Sequence, residues 1–414
     1  MQERFVLRDE PFGATVFDRQ TLGYKYVEAA NLGSDIYING VKVDRYEHWK
    51  TDLSAAPRDL LYAPIRVYIE TTRVCNLRCR TCFNASGTAD PDEMSTDQLF
   101  KALEGMRQDN IFDVRFTGGE FTKRPDWQEL LQKAINLGFG VSMNTNGAYD
   151  DPSIVDKIAA IEGLAQVTVS IDGTRDDHDY IRGRGNFDRT LQNLKALNER
   201  GVTLRTNTVV TKRTVSKMED IIQAVGPYLD EMNFFHMRFT GRAQNIVREA
   251  LSFEDLYEFN QRAKEIVKRY PQLNILFGSQ ATRANSIRMN QLGLRMGGPD
   301  GFTRFNLLAN GSIWAGGYVP YIDRRLEMGN INEEDGNTTL RIWRGSKKLN
   351  GFRKFSRDLL LRCLNCAELD RRCPGINVEM ELARLKQPDL GNPYCISDQP
   401  LPLMDSEVYE GNLR

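Results

Sequence analysis

The chain has 414 residues, 41% hydrophobic and 27% charged, and its Lys and Arg (55) nearly balance its Asp and Glu (56) for a net charge of −1. That length is ample for a large core, and near-neutrality offers no field to draw in nucleic acid or an anionic membrane. No apolar run reaches the ~18 residues a transmembrane helix needs. The opening MQERFVLRDEPFG carries charge where a signal peptide is apolar, so a cytoplasmic protein is expected. In that reducing compartment cysteines serve as metal ligands or catalysts rather than in disulfides. All seven fall into two groups, three between Cys75 and Cys82 and four between Cys363 and Cys395, which points to two metal sites.

Residues 1–61 read as a β-rich region, with FVLRDEPFGATVFDRQTLGYKYV predicting a hairpin across DRQTLG. From about 62 to 285 strands alternate with helices, the pattern of βα units on a parallel sheet. RVYIETT is the first strand, followed by a helix opened by a Ser/Thr cap in STDQLFKALEGMRQDN. DVRFTGGE is the second, and its helix ends at Gly138 as C-cap. VSMNTNG, VTVSIDG, TLRTNTVVT and EMNFFHMRFTG complete six units, and residues 252–296 read as helical. Past Gly297 the chain turns β-like, with a hairpin at Asn310-Gly311. A helix containing RIWRGSKKLNGFRKF and the second cysteine group follow, and 397–414 is an acidic tail.

Cys75, Cys79 and Cys82, spaced C-x3-C-x2-C, close the first strand. Thiolates suit iron–sulfur clusters or zinc. A closed zinc site would need a fourth ligand nearby, and no Cys or His lies between Cys82 and His178. Three ligands on a cubane leave one iron open. With Gly118-Gly119-Glu120 ending the next strand, this pattern resembles the radical S-adenosylmethionine (SAM) enzymes. Their open iron chelates SAM, and reductive cleavage yields a 5′-deoxyadenosyl radical that abstracts hydrogen. The resemblance implies a partial (β/α)6 TIM-like barrel over 62–296, with chemistry at the C-terminal strand ends. It also implies that Gly118, Gly119 and Glu120 bind the SAM amino group. Asn144 would line the SAM site, Ser170 and Asp172 would approach the carboxylate or ribose, Arg182 would pair with the carboxylate, and Asn207 would contact ribose or adenine. One departure is Thr81, where the family usually has an aromatic residue before the third cysteine. His178 and His236 read as core histidines.

Residues 297–396 resemble the α+β SPASM or twitch extension of such enzymes. Cysteines expected for a barrel-proximal auxiliary cluster near Gly298, near Gly316 or Gly317, and in Pro374-Gly375-Ile376-Asn377 are absent. Cys363, Cys366, Cys373 and Cys395, spaced C-x2-C-x6-C-x21-C, match one outer, fully cysteine-ligated [4Fe–4S] cluster. Their spacing alone also suits a zinc knuckle. The implied activity is modification of a ribosomally made precursor peptide by crosslinking, epimerisation or backbone excision. The implied cofactors are SAM and two [4Fe–4S] clusters, with a flavodoxin- or ferredoxin-type reductant. In that setting 1–61 is either a cap or part of a leader-peptide-binding element, and its shortness suggests a separate leader-binding protein. Alternatives are a small-molecule radical SAM dehydrogenase with one auxiliary cluster, and a zinc-stapled binding protein. No cysteine outside the two groups is available as a hydrogen donor.

Overall fold

The amino-terminal region is a four-stranded sheet, larger than the hairpin expected, in a computed structural model that describes residues 2–54, 56–277, 286–294, 296–333, 338–369, 378–386 and 395. Strands β1 (Phe5–Glu10), β2 (Gly13–Asp18), β3 (Tyr24–Glu28) and β6 (Tyr46–Trp49) lie in the order β3-β2-β1-β6, beside a two-stranded ribbon of β4 (Tyr37–Ile38) and β5 (Val41–Lys42). The hairpin becomes a sheet because Gly13, at φ +146, lets β1 turn straight into β2, and because YEHW adds parallel to β1.

Period-two alternation splits the residues of this sheet between two faces. Phe17 and Trp49 both stack on Phe112 of the central domain, at 5.2 and 5.3 Å between ring centroids. Such pairs contribute roughly 1 kcal/mol each beyond the area they bury. Phe5, Leu7 and Val16 instead pack with Ile36 and Ile38 in a separate small core. Arg8, fully buried, donates to the carbonyls of Ala63, Pro64 and Asn110 and to Glu10 Oε1.

The central sheet runs parallel through β7 (Arg66–Glu70), β8 (Asp113–Thr117), β9 (Gly140–Thr145), β10 (Leu164–Ser170), β11 (Leu204–Val210), β12 (Glu231–His236) and β13 (Asn274–Phe277). Between them run α1 (Thr96–Gln108), α2 (Trp127–Leu137), α3 (Ser153–Ala159), α4 (Arg175–Arg182), α5 (Asn186–Glu199), α6 (Met218–Val225) and α7 (Phe253–Arg269). Ser95 caps α1 in a full capping box with Gln98, and Gly138 ends α2 at φ +91, as expected. The expectation of helix throughout 252–296 is corrected. Pro271 follows the end of α7, and β13 pairs with β12 before a short helix, α8, over 286–291.

The sheet does not stop where the β-like segment begins. Strand β14 (Arg304–Leu307) pairs parallel with β7, and β15 (Ser312–Trp314) and β16 (Gly329–Asn330) extend it antiparallel, giving ten strands. Gly311, at φ +85, makes the β14–β15 turn. The helix expected around RIWRGSKKLNGFRKF is two, α9 (Thr338–Gly345) and α10 (Lys347–Leu364), because Ser346 breaks the run and caps Leu349 N–H at 3.2 Å. Helix α11 (Val378–Lys386) is the last. Among the described residues no helix is long and apolar enough to cross a membrane.

Candidate active site

The three amino-terminal-group cysteines lie in the loop that leaves β7. They pack together with Leu77 and Ala148, with Cys79 buried and Cys75 and Cys82 half-buried. Parallel strands carry their loops at the carboxyl ends, so this loop meets the ends of β8, β9 and β10. Gly118 and Gly119 make the meeting possible. A Cβ on Gly118 would lie 2.6 Å from Thr72 O, and one on Gly119 would collide with Val74 O. Gly119 N–H instead donates to Thr72 O at 2.7 Å and Glu120 N–H to Val74 O at 2.8 Å.

Glu120 is 2% exposed, and its carboxylate is heavily used by the chain itself. Oε1 accepts from Thr122 N–H (3.2 Å), Thr122 Oγ1 (2.8 Å) and Thr145 Oγ1 (2.9 Å), and Oε2 accepts from Asn146 N–H (2.7 Å). The residue therefore ties the end of β8 to the end of β9, and only Oε2 keeps acceptor capacity for an incoming ammonium. Burial pushes its carboxyl up, against those hydrogen bonds.

Asp172 and Arg182, expected separately at a ligand, are brought together. Arg182 Nε lies 2.7 Å from Asp172 Oδ2, and Asp172 Oδ1 accepts from Val209 N–H at 2.9 Å. Arg182 Nη1 points to Cys79 Sγ at 3.8 Å. Two of its donors are thus committed before any carboxylate arrives. Ser170 and Asn207 are half-buried and stand in register on adjacent strands, and Asn207 Oδ1 accepts from Asn233 Nδ2 at 3.1 Å. Asn144 Oδ1 is buried and has no hydrogen-bond partner among the described residues. His178 is buried against Phe187, its Nδ1 accepting from Asp172 N–H, and burial pushes it down to about 3. It is a neutral core residue, as expected.

Two residues that sequence reasoning missed hold the cysteine loop from the far side. Arg242 donates Nε to Cys79 O and Nη1 to Ser86 O, each at 2.8 Å, and its own N–H to Cys82 O at 2.9 Å. Gly241, at φ +57, lies so close beneath the loop that a Cβ would strike Phe83 O and Cys82 O. The only signal was the FTGRA run after the sixth strand.

The site accommodates a three-cysteine cluster and a ligand on chemical grounds. N–H groups approach two of the sulfurs, with Leu77 N 3.4 Å and Asn146 Nδ2 3.9 Å from Cys75 Sγ and Arg182 Nη1 near Cys79 Sγ. Such donors favour anionic sulfur. Burial, joined by the nearby Glu120 carboxylate and the other two cysteines, pushes the Cys75 thiol up to about 11, so a bound cation is what would hold it as thiolate. The orphaned Asn144 Oδ1 is a buried acceptor awaiting a donor.

In the carboxyl-terminal group, Arg362 Nη2 lies 3.4 Å from Cys395 Sγ, and Cys366 N–H donates to Cys363 O at 3.1 Å. Cys395 is thereby brought beside the Cys363–Cys366 turn. Cys373 lies outside the described residues, as does the 397–414 tail. No disulfide joins the described cysteines, and among the described residues no three His, Cys, Asp or Glu side chains are grouped closely enough to hold one metal ion.

Residues 69–225 match the model of the Radical SAM superfamily. That segment is a radical SAM domain, which implies SAM and one [4Fe–4S] cluster. The chain is 35% identical over 190 residues to the mycofactocin maturase MftC of Mycobacterium tuberculosis, covering 45% of this chain and 48% of the relative. It thus spans about half the length of the maturase it matches. It is 27% identical over 355 residues to the AdoMet-dependent heme synthase of Methanosarcina barkeri, covering 81% and 97%. The fold is that of Streptococcus suis SuiB. The SAM-bound form of SuiB aligns with TM-score 0.69 at 18% identity over 99% of both chains, and the form bound to the precursor peptide SuiA with TM-score 0.70 at 17% over 99% of both.

Proposed function

We propose that this chain is a radical SAM peptide maturase. The observation that carries the reading is the convergence of Cys75, Cys79 and Cys82 with the Gly118-Gly119 edge and the orphaned Asn144 acceptor. Cys75, Cys79 and Cys82 would hold a [4Fe–4S] cluster, and the ends of β8 to β11 would hold SAM. Bound together, these groups would supply a 5′-deoxyadenosyl radical for hydrogen abstraction. The chain's own part is positioning. Glu120 fixes the strand ends, Arg182 spans Asp172 and Cys79, and Arg242 holds the cysteine loop down. Gly118, Gly119, Asn144, Ser170 and Asn207 line the space between.

The peptide as substrate is supported by the similarity to MftC and by the whole-chain likeness of fold to SuiB in its peptide-bound form. The amino-terminal sheet, with β3 and β6 at its edges, is a platform on which a leader peptide or a separate leader-binding protein could pair. The central sheet is read as a (β/α) partial barrel, and 297–396 as a SPASM- or twitch-like domain. In that domain Cys363, Cys366, Cys373 and Cys395 would hold a second, fully ligated [4Fe–4S] cluster. A flavodoxin- or ferredoxin-type reductant and a cytoplasmic location complete the proposal. A small-molecule substrate is the second reading, favoured by the near full-length similarity to the heme synthase.

The test is iron and sulfide content with EPR on anaerobically purified protein, wild type and Cys75/Cys79/Cys82→Ala. The expected result is about eight irons, falling to about four in the triple variant, with SAM perturbing only the lost signal. Four irons with one zinc would make the carboxyl-terminal site structural. No iron would overturn the enzyme reading.

A further inference from the structure

The central sheet turns one face to the helices and the other to an interior row of polar side chains. Register places Asn306, Tyr68, Arg115, Ser142 and Gln166 side by side on five adjacent strands. Tyr68, Gln166 and Asn306 are only half-buried, so this face borders accessible space rather than packed core. Arg115 stands three residues before Gly118, about 10 Å down β8 from the SAM edge at ~3.3 Å per residue.

The charges on this face do not balance. Arg66, Arg205 and Arg304 each have a carboxylate partner, Asp113 at 2.5 Å, Glu231 at 2.8 Å and Asp300 at 2.6 Å. Arg115 has none. It is 3% exposed, and its acceptors are neutral, Ser142 Oγ at 2.9 Å and Gln166 Oε1 at 3.2 Å. Asp113, already paired with Arg66, acts on Arg115 only from a distance, so this buried positive charge is only partly compensated, and such a charge is costly unless an anion pairs with it. The ring of Tyr68 lies 5.6 Å from the Arg115 and Arg304 guanidinium carbons and 5.9 Å from that of Arg66. Burial pushes the Tyr68 hydroxyl up, but Arg115, Arg66, Arg304 and Arg205 outweigh it and pull it down to about 7. The field here is one that accepts negative charge.

We infer that Arg115, with Tyr68 beside it, is a specificity site that receives a carboxylate of the substrate peptide, presented beneath the SAM edge. A guanidinium fork matches that group in geometry and charge. The carboxylate is either an acidic side chain or the peptide's own terminus. This inference rests on the peptide-maturase reading.

The test measures binding by fluorescence anisotropy on cluster-reconstituted protein with SAM. The probes are a labelled random decapeptide pool with a free terminal carboxylate, the same pool amidated, and an amidated pool without Asp or Glu. The expected result is binding about tenfold or more weaker for the third pool than for the first, a gap that Arg115→Gln abolishes. Arg304→Gln, which weakens the same field, should narrow it and serves if the first variant does not fold. Loss on amidation alone assigns the terminus; loss only without Asp and Glu assigns a side chain. Equal binding of all three pools overturns this inference and leaves the maturase reading standing. Failure of every pool to bind overturns both.

Discussion

Arg182 joins Asp172 to Cys79: its Nε sits 2.7 Å from the carboxylate and its Nη1 3.8 Å from the sulfur. Asp172 is fully buried and also accepts from Val209 N–H, so one ion pair connects β10, β11, α4 and the cysteine loop. Burial opposes the guanidinium's charge, while Asp172 and Cys79 favour it.

Arg182→Lys keeps the charge but loses the planar fork. Reductive SAM cleavage should fall about tenfold or more, as expected when a hydrogen bond to a charged group is lost, while carboxyl-terminal iron is retained. Chromatographic quantitation of 5′-deoxyadenosine, alongside iron analysis, checks this. Wild-type cleavage in the lysine variant would show that charge alone suffices.

Gly241→Ala places a methyl group against Phe83 O and Cys82 O at a backbone angle that side chains avoid. The cysteine loop should shift, and reconstituted protein should carry about four fewer irons with an unchanged far-UV spectrum. Arg242→Ala should act in the same direction, through loss of the two guanidinium hydrogen bonds to the Cys79 and Ser86 carbonyls. Full iron loading in both variants would remove them from any role in cluster assembly.

Arg8→Ala strands the Glu10 carboxyl, which burial already pushes up. Breaking a fully buried pair costs about 3–5 kcal/mol. Three carbonyls, those of Ala63, Pro64 and Asn110, also lose their donor. Limited proteolysis should cut between the amino-terminal sheet and β7 in the variant and spare the wild type.

Asp109 at the end of α1 accepts from Leu340 N–H at 3.2 Å, and burial lifts its carboxyl to about 7. Unfolded, it titrates near 3.9. Between about pH 4 and pH 7 the folded state holds a proton that the unfolded state has released, so this residue's stabilisation is lost as pH rises. Asp109→Asn should match wild type below pH 4 and melt about 2 °C or more higher at pH 8. Thermal unfolding across that range decides it, and parallel curves would refute the coupling.

The first six parallel strands were legible because each sets apolar residues in alternation toward the helices, and the caps at Ser95 and Gly138 are local chemistry. Strand β13 was hidden because NILF is too short to declare a period, and only its pairing with β12 makes it a strand. The cysteine triplet and GGE were legible as spacing. Their supports were not. Arg242 reaches Cys79 from the opposite end of the domain, and a sequence does not reveal that Glu120 spends its acceptors on Thr122, Thr145 and Asn146. Arg115 reads as an ordinary charge in a strand until its neighbours across the sheet are known.

The pairing of β7 with β14 sets residue 66 beside residue 304, which has a consequence for biosynthesis. A nascent chain that has extruded every cysteine of the first group still has β7 as an open edge, its backbone groups available to any passing strand. Contacts this distant in sequence form slowly, and exposed edges in multi-element chains invite misassembly. The strand that leads into the first cysteine loop is thus sealed only after most of the polypeptide has left the ribosome. Metal loading that precedes sealing would occur on a partly finished sheet.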